Sequence, residues 1–304
     1  MTTMLQACTG VDVALAAERI RPYARRTPLL HTRIDGRPVV LKLEYLQLSG
    51  SFKLRGALNG LLTSAPDEHV VAASGGNHGL GLAAAAALVS RPVTVFVPTT
   101  APEAKARRIE QLGARLVRRG TTFAQAAAAA AEFADQPGHR FLHAYDSPDV
   151  VAGQGTVAAE VVADAPEVDA VVVAAGGGGL AAGTALAAGP RHTVAVEPRH
   201  CQSVHDGLAA GHPVDSTVDS VAASALGASR LGELPFAILS SHDVRCTLVS
   251  DEQLLTARDR LWEEFRIAAE PAAAAPLAAW LAGLVPGRLP CLVVCGANAD
   301  WTPA

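Results

Sequence analysis

Lys53 is the residue best placed for covalent chemistry. It lies in the run Gly50–Ala57 (GSFKLRGA), where a strand-like segment gives way to a Ser/Gly turn and then to a predicted helix that carries the lysine in its first turn. The positive end of the helix dipole and the apolar neighbours Phe52 and Leu54 both disfavour the charged ammonium form. A lysine with a lowered pKa can attack a carbonyl carbon. A solvated surface lysine is the alternative interpretation of this segment alone.

Four consecutive glycines, Gly176–Gly179, form a second candidate. They follow the apolar segment Ala170–Ala175 and precede a predicted helix. Glycines allow left-handed backbone angles and let amide groups approach an anion closely at the positive end of a helix. A turn that only permits tight strand–helix packing is the alternative, but four glycines exceed what such packing needs. The run therefore predicts a phosphate-binding loop.

The same loop also fits a dinucleotide-binding fingerprint. Gly176, Gly178 and Ala181 have the G-x-G-x-x-A spacing. Glu197, 21 residues after Gly176, ends the next predicted strand, where a ribose-binding acid would stand. Taken alone, this segment supports an NAD-dependent oxidoreductase. Other segments must decide between a single phosphate and a dinucleotide.

The run Ser74–Gly79 (SGGNHG) places a polar, glycine-containing turn between another strand and helix. Its backbone donors can bind a carboxylate, and the Asn77 amide can donate to a phenolate-like oxygen. Simple helix capping by Ser74 or Asn77 is the alternative interpretation. Ser74 as an acyl-transfer nucleophile is disfavoured because the G-x-S-x-G elbow is missing.

Cys295 ends a predicted strand near the C-terminus. On a strand, Cys291 and Cys295 share a face because they lie four residues apart. A buried, inert cysteine is the usual state of such a residue. Alternatively, the Cys295 thiol is a weak hydrogen-bond partner for a ligand at the carboxyl end of the strand.

Short β-branched runs alternate with longer Ala/Leu-rich runs along the chain. This alternation predicts βαβ units, and hence an α/β protein with parallel sheets and helices on both faces. The predicted strands are Val39–Glu44, Val70–Ala73, Val93–Val97, Arg115–Val117, Ala170–Ala175, Val194–Glu197, Val244–Val249 and Leu292–Cys295. The predicted helices are Val11–Arg21, Phe52–Thr63, His78–Val89, Glu103–Leu112, Phe123–Ala134, Val150–Ala163, Leu180–Ala188, Asp251–Phe265 and Ala272–Leu281.

Composition argues against several classes of protein. Half of the 304 residues are apolar, and the net charge of −4 without a basic cluster argues against nucleic acid as a partner. No uninterrupted apolar run reaches membrane-spanning length and no signal-peptide pattern opens the chain, so we expect a cytoplasmic protein without a membrane partner. Five scattered cysteines without a CxxC pair, and ten histidines without an HExxH motif, suggest neither a disulfide framework nor a zinc site.

In this order and at these separations, the segments resemble the fold-type II pyridoxal-phosphate enzymes, specifically the serine/threonine dehydratase and serine racemase group. The matching pieces are GSFKLRGA (50–57), SGGNHG (74–79), GQGT (153–156), GGGGL (176–180), Glu197-Pro198, Glu270-Pro271 and CGAN (295–298). The resemblance implies two interwoven open twisted-sheet domains, as in the β-subunit of tryptophan synthase. Residues 1–65 and 145–304 would form a large cofactor-binding domain, and residues 66–144 a small mobile one. It also implies a homodimer acting on a small amino acid.

The resemblance assigns roles to these residues. Lys53 would form a Schiff base with the aldehyde of pyridoxal 5′-phosphate, Gly176–Gly179 would cradle its phosphate, and Asn77 would hydrogen-bond the ring hydroxyl. One phosphate then needs a cradle, and no ribose needs Glu197. The implied cofactor contacts are Phe52, Lys53, Asn77, Gly176, Gly177, Gly178, Gly179, Leu180, Glu270 and Cys295. The implied substrate contacts, at its carboxylate, are Ser74, Gly75, Gly76, Asn77 and His78.

The implied activity is β-elimination from a β-hydroxy amino acid, so that L-serine gives pyruvate, L-threonine gives 2-oxobutanoate, and each gives ammonia. Cys295 would face the ring nitrogen, and a thiol with a reference pKa of about 8.5 cannot keep that nitrogen protonated. The ring is then a weaker electron sink, which favours prompt loss of the β-hydroxyl over transamination. The alternatives that stay open are β-replacement as in cysteine synthase, racemisation and, from other classes, an NAD-dependent oxidoreductase or a non-catalytic binding protein.

Departures from the group bear on function. Gly75 stands where racemases carry a second serine, so we expect poor racemisation. Glu197 matches one ligand of the divalent-metal site of eukaryotic-type members, but Ser203 replaces the aspartate, so no metal is predicted and Glu197 is the one candidate ligand. Residues 219–228 (DSVAASALGA) differ from the usual Ala-Asp-Gly pattern, which predicts a changed pocket for a larger substrate such as a phenylserine or hydroxyaspartate. Since the sequence ends soon after Asn298, we expect no regulatory domain like that of feedback-regulated threonine dehydratases, and hence a catabolic or pathway-specific role.

Overall fold

Two β-sheets organise the protein in the computed structural model, which describes residues 10–299. The strands are β1 (Leu29–Ile34), β2 (Arg37–Lys42), β3 (His69–Ala73), β4 (Val93–Val97), β5 (Arg115–Arg118), β6 (His139–Phe141), β7 (Ala170–Ala174), β8 (His192–Pro198), β9 (Val244–Val249) and β10 (Pro290–Val293). The first sheet has the order β1-β2-β10-β7-β8-β9, and the second has the order β5-β4-β3-β6.

The second sheet is built from residues 69–141, whereas the first uses segments before and after them. The chain therefore leaves the first sheet and later returns to it. This confirms the predicted class, an α/β protein with two interwoven sheets. The domain limits at residues 65 and 145 stay predictions.

Helices connect the strands. They are α1 (Val13–Ile20), α2 (Lys53–Thr63), α3 (Asn77–Val89), α4 (Glu103–Gln111), α5 (Phe123–Ala134), α6 (Pro148–Asp164), α7 (Gly179–Ala187), α8 (Ser203–Ala210), α9 (Ala223–Leu226), α10 (Glu233–Ser240), α11 (Asp251–Phe265) and α12 (Ala275–Leu281), with 3-10 turns at Glu44–Leu46 and Pro271–Ala274. Within residues 10–299, none of the helices has both the length and the apolar character needed to span a bilayer.

One strand pair departs from the predicted parallel arrangement. β1 and β2 run antiparallel, whereas the other described pairs are parallel. The connection is the dipeptide Asp35-Gly36, and both residues have positive φ, 49° and 74°. Asp-Gly between two extended runs is a strong signal for a tight hairpin. The sequence therefore carried the information for β1, although β1 was not among the predicted strands.

Predicted element boundaries lie within two residues of the observed ones, except that the first turn of Ala272–Leu281 is a 3-10 turn. One shift matters for the site. β10 ends at Val293, so Cys295 lies just beyond the strand, and the argument that Cys291 and Cys295 share a strand face is wrong. Strand β6 and helices α8, α9 and α10 were also not predicted, because they are short and depend on contacts with distant segments.

The apolar interior forms two main clusters of buried side chains, one around each sheet. Helix α2 packs into the cluster of the second sheet, where Leu54, Leu58 and Leu61 join Val70 and Leu80. The residue that begins α2 is therefore positioned by the second sheet, although α2 precedes that sheet in the chain.

A buried cluster of charges also anchors α2. Arg55 Nη2 lies 2.7 Å from Glu44 Oε1, and Arg55 Nη1 lies 2.8 Å from Glu160 Oε1. Lys42 Nζ donates to Glu160 Oε2 over 2.5 Å. Because Arg55 is two residues after Lys53, this cluster fixes the first turn of α2.

Candidate active site

A cleft of about 400 Å³ opens where strands of both sheets reach their carboxyl ends. The turn after β3, the glycine loop after β7 and the residues after β10 all line it. Open α/β sheets bind ligands at this position. Every residue predicted to contact a cofactor or a substrate lines this one cleft.

Lys53 is the first residue of α2 and points into the cleft. Its Nζ donates to the carbonyl oxygen of Ala144 over 2.9 Å. Burial lowers the pKa of the Lys53 amine to about 8, although the nearby Cys295 and Glu270 act in the opposite direction. About a tenth of the amine is therefore uncharged at pH 7, far more than for an ordinary lysine, and available as a nucleophile or base.

Helix α3 fixes the backbone of Lys53 from the side of the second sheet. A Cβ placed on Gly81 would lie 2.9 Å from the Lys53 carbonyl carbon and 3.1 Å from Leu54 N. A real Cβ does not fit at that distance from another backbone. Gly81 therefore allows the two helices to approach closely where the amine is displayed.

The glycine loop is sterically demanding at each of its positions. Gly178 has a φ of +90° and precedes α7 as its N-cap residue. Side chains at Gly177 or Gly179 would collide with Tyr145, and a Cβ at Gly176 would lie 3.0 Å from the Leu226 carbonyl oxygen. The argument that four glycines exceed what packing needs is therefore wrong. The loop nevertheless presents the first turn of α7 to the cleft, as an anion site requires.

Glu197 does not face a ligand. It is fully buried at the end of β8, and its carboxylate accepts from the backbone N–H groups of Val204 (2.9 Å) and His205 (2.8 Å) in the first turn of α8. Burial raises the pKa of this carboxyl to about 8 despite those two bonds. Glu197 is therefore not available to bind a ribose, as the dinucleotide-binding interpretation requires. Among residues 10–299, no group of three or more acidic, His or Cys side chains is arranged to hold a metal ion.

The turn after β3 joins the two sheets through Asn77. Asn77 Nδ2 donates to Glu270 Oε1 over 2.7 Å, and Asn77 Oδ1 accepts from Asn298 Nδ2 over 2.8 Å. Gly76 is the N-cap residue of α3 and no side chain caps this helix, so the helix-capping interpretation of Ser74 and Asn77 is wrong. The Asn77 amide is instead oriented toward the cleft.

His78 contributes a neutral imidazole. Burial lowers its pKa to about 3, and the charge of Lys53 lowers it further. Nε2 lies 3.0 Å from the carbonyl oxygen of Leu142 and carries the proton, since a carbonyl only accepts. Nδ1 is buried and has no hydrogen-bond partner within the described structure. It is a free acceptor beside the Ser74–Asn77 turn.

Cys295 and Glu270 lie together on one side of the cleft. Burial raises the pKa of the Cys295 thiol, and the nearby Glu270 raises it further, so the thiol is neutral. Burial also raises the pKa of Glu270, against hydrogen bonds from the Asn77 side chain and the Asn298 backbone. The sequence argument considered only the thiol as the partner of a ring nitrogen, and the structure adds this acid.

Several cleft residues were not predicted as contacts, namely Phe123, Ala144, Tyr145, Ala174, Ala175, Ala272 and residues 223–229. Residues 223–228 belong to the stretch whose departure from the group predicted a changed pocket. Ala144 and Tyr145 follow β6, the strand that was missed, so their place at a strand's carboxyl end could not be inferred. Recognition of His139–Phe141 as a strand would have drawn attention to them.

The fold and the cleft define an α/β protein with a reactive lysine at the carboxyl ends of its strands, and comparisons identify the class. The chain superposes on a solved threonine deaminase from T.th. with a TM-score of 0.90 and 34% identity, covering 96% of this chain and 99% of that one. It superposes on serine racemase from Dictyostelium discoideum with a TM-score of 0.89 and 29% identity, covering 96% and 100%.

Comparison with known sequences agrees with the comparison of structures. The chain is 37% identical to L-threonine ammonia-lyase of Geobacter sulfurreducens over 300 residues, 94% of this chain and 74% of that protein. It is 32% identical to L-threonine ammonia-lyase of Thermotoga maritima, over 95% of this chain and 75% of that protein. Residues 20–296 match the family described as pyridoxal-phosphate dependent enzyme, and the chain belongs to that family.

Proposed function

We propose that this protein is a pyridoxal-phosphate-dependent ammonia-lyase that converts L-serine or L-threonine to a 2-oxo acid and ammonia. The observation that carries the proposal is the amine of Lys53, whose pKa is about 8, in a cleft shared with a glycine loop at a helix start. Relatives named L-threonine ammonia-lyase, at 32–37% identity over nearly the whole chain, support the same reaction.

The donors of the cleft fit the cofactor. Lys53 supplies an amine for the aldehyde, the N–H groups of Gly176–Gly179 suit the phosphate, and Asn77 suits the ring hydroxyl. Phe52 and Leu180 line the cleft and would supply apolar contacts, and Cys295 and Glu270, which also line it, would supply polar groups for the ring nitrogen. When bound, the cofactor withdraws electrons from Cα of the amino acid joined to it and so acidifies the Cα–H bond.

The chain's own residues then carry out the proton transfers and the orientation of the substrate. The backbone N–H groups of the Ser74–His78 segment would hold the substrate carboxylate, and Lys53 would accept the proton from Cα. Lys53 would pass this proton to the β-hydroxyl as the β C–O bond breaks, so that water departs and an enamine remains. Hydrolysis of the enamine takes up one water and releases the 2-oxo acid and ammonia. A neutral thiol at the ring nitrogen favours this elimination over transamination.

The test measures product formation by the wild-type protein and by a Lys53 variant. Purified protein with pyridoxal phosphate is mixed with L-serine and L-threonine, and 2-oxo acid and ammonia are measured. Lys53→Ala should abolish turnover, whereas Arg107→Ala, which removes an exposed cation of α4, should retain it. Borohydride treatment should attach the cofactor to Lys53, as located by peptide mass spectrometry. No product from either substrate, or equal activity of the Lys53 variant, would contradict the lyase assignment.

Three further features are proposed with this function. The protein is a homodimer, it acts in the cytoplasm, and residues 66–144 form a small domain that moves against the rest. The resemblance to the dehydratase group supports each of them. Sedimentation velocity at several protein concentrations tests the first, and small-angle scattering with and without cofactor and substrate tests the third.

A further inference from the structure

We infer that the preferred substrate is a β-hydroxy amino acid whose β-substituent is apolar and larger than the methyl group of threonine. The inference deepens the proposed lyase function and rests on it. It follows from the wall of the cleft formed by residues 223–229 (ASALGAS), here named the 223–229 segment.

The 223–229 segment lies beside the reacting part of the substrate. A Cβ placed on Gly76, in the carboxylate-binding turn, would lie 3.3 Å from the Ser224 carbonyl oxygen. A Cβ placed on Gly176, in the glycine loop, would lie 3.0 Å from the Leu226 carbonyl oxygen. The segment therefore bridges the turn and the loop. An amino acid held between them turns its β-substituent to this wall.

The segment is held in place by its own hydrogen bonds. Ser216 N donates to the Ser229 carbonyl oxygen over 2.7 Å at its base. Just before it, the Asp251 carboxylate accepts from Ser220 Oγ (2.6 Å) and from Val221 N (3.0 Å). Asp251 begins helix α11, so the wall is tied to a regular element. The space in front of it is consequently preformed.

The side chains of the wall leave room for an apolar group. Apart from the buried Leu226, the segment contains only alanine, serine and glycine. Phe123 also lines the cleft, from α5 of the second sheet, and 60% of it is exposed. Removing apolar surface from water stabilises a complex by about 25 cal/mol per Å². An aryl or alkyl β-substituent offers apolar area with which to cover the Phe123 ring, whereas the β-carbon of serine carries only a hydroxyl.

The charges of the cleft argue against an acidic β-substituent. Among the described residues that line it, Lys53 and Glu270 are the charged ones, and both are assigned to the cofactor. Arg230 follows the segment directly, but its guanidinium lies 3.3 Å from Asp215 and 3.9 Å from Glu233. A second substrate carboxylate would be desolvated without a cation, which is costly. Of the two larger substrates that the sequence suggests, phenylserine is therefore favoured over hydroxyaspartate.

The experiment compares kcat/KM for L-serine, L-threonine, L-threo-3-phenylserine and L-threo-3-hydroxyaspartate, with 2-oxo acid and ammonia as products. We expect phenylserine to exceed threonine by roughly tenfold or more, since extra apolar groups in a fitting pocket are worth about that. Hydroxyaspartate should be the poorest substrate. Higher kcat/KM for threonine or hydroxyaspartate than for phenylserine overturns the inference, whereas no product from any substrate defeats the lyase function itself.

Two variants locate the effect. Ser224→Leu fills the exposed wall, and Phe123→Ala removes the opposing ring. Each should lower kcat/KM for phenylserine roughly tenfold relative to that for serine, mainly through KM. Leu112→Ala, which trims an exposed leucine at the end of α4, is the matched control and should leave the ratio unchanged. Equal losses for both substrates in the two cleft variants would contradict the assignment of this wall.

Discussion

The Lys53 amine loses most of its hydration in the cleft, and its pKa falls from 10.5 to about 8. We expect the rate at which the cofactor-free protein captures pyridoxal phosphate to rise with pH, with a midpoint near 8, and to level off above that pH. An unperturbed lysine would continue to gain reactivity up to its ordinary pKa. Stopped-flow absorbance across this pH range measures the profile, and a midpoint near 10 would contradict the assigned environment.

The lowered pKa of Lys53 also makes the stability of the folded protein depend on pH. Between about pH 8 and 10.5 the unfolded chain keeps a proton on Lys53 that the folded chain has lost. The free energy of unfolding therefore gains a contribution that rises with pH across this window. Lys53→Met should remove that slope, as measured by urea unfolding of the cofactor-free protein at several pH values.

Gly75 limits the chemistry on one face of Cα. A Cβ there would meet Val97 Cγ1 at 3.6 Å and Ala101 Cβ at 3.8 Å, which are ordinary contacts, and Gly75 is not among the glycines with positive φ. Gly75→Ser should therefore fold normally and add a hydroxyl beside the substrate. We expect racemisation of L-serine to rise roughly tenfold or more, since a positioned proton donor contributes at least this much. Chiral chromatography of incubated L-serine measures it, and unchanged D-serine formation would refute the idea.

At the scale of elements, each of the buried charges that anchor α2 depends on a partner of opposite charge. Arg55 is 1% exposed and its guanidinium is shared by Glu44 and Glu160. Arg55→Met would leave the buried Glu44 carboxylate without its guanidinium partner and Glu160 with Lys42 alone, so we expect a loss of about 3–5 kcal/mol in the free energy of unfolding. Arg26→Met, which breaks an exposed pair with Asp164, should cost at most about 1 kcal/mol. If urea titrations gave similar losses for the two variants, the buried charges around Arg55 would contribute no more to stability than an exposed ion pair.

The helices and strands differ in how well the sequence alone predicts them. Long, well-delimited runs such as Phe123–Ala134 and Asp251–Phe265 were predicted to the residue, because periodicity and capping residues are local. The sequence could place several predicted residues in one cleft because their motifs follow β3, β7 and β10, and strand ends converge in an α/β sheet; the roles of these residues stay predictions. Tyr145 was missed because its role depends on contact with Gly177, 32 positions later in the chain. Helix α8 was missed because Glu197, six residues before it, supplies its cap.

At the scale of the whole molecule, hydrogen bonds cross repeatedly between the two sheets. Arg108 of α4 donates to Asn298 Oδ1 over 3.1 Å, Asn298 donates to Asn77, and Asn77 donates to Glu270. Asn298→Ala should release the Asn77 amide and weaken pyridoxal-phosphate affinity roughly tenfold, with faster hydrogen exchange in the first turn of α3. Arg108→Ala removes only the exposed outer bond and should have a smaller effect on both. Wild-type affinity and exchange in Asn298→Ala would exclude this network.

The reactive amine and the glycine loop belong to the same half of the protein under the proposed division, because Lys53 and Gly176–Gly179 both lie outside residues 66–144. The buried ion pairs of Arg55 tie the helix of Lys53 to that half. A swing of residues 66–144 would consequently leave the span between the amine and the glycine loop unchanged, and would instead move the Ser74–Asn77 turn against both. A substrate that fails to draw the halves together would thus leave its carboxylate unheld, although the lysine stays within reach.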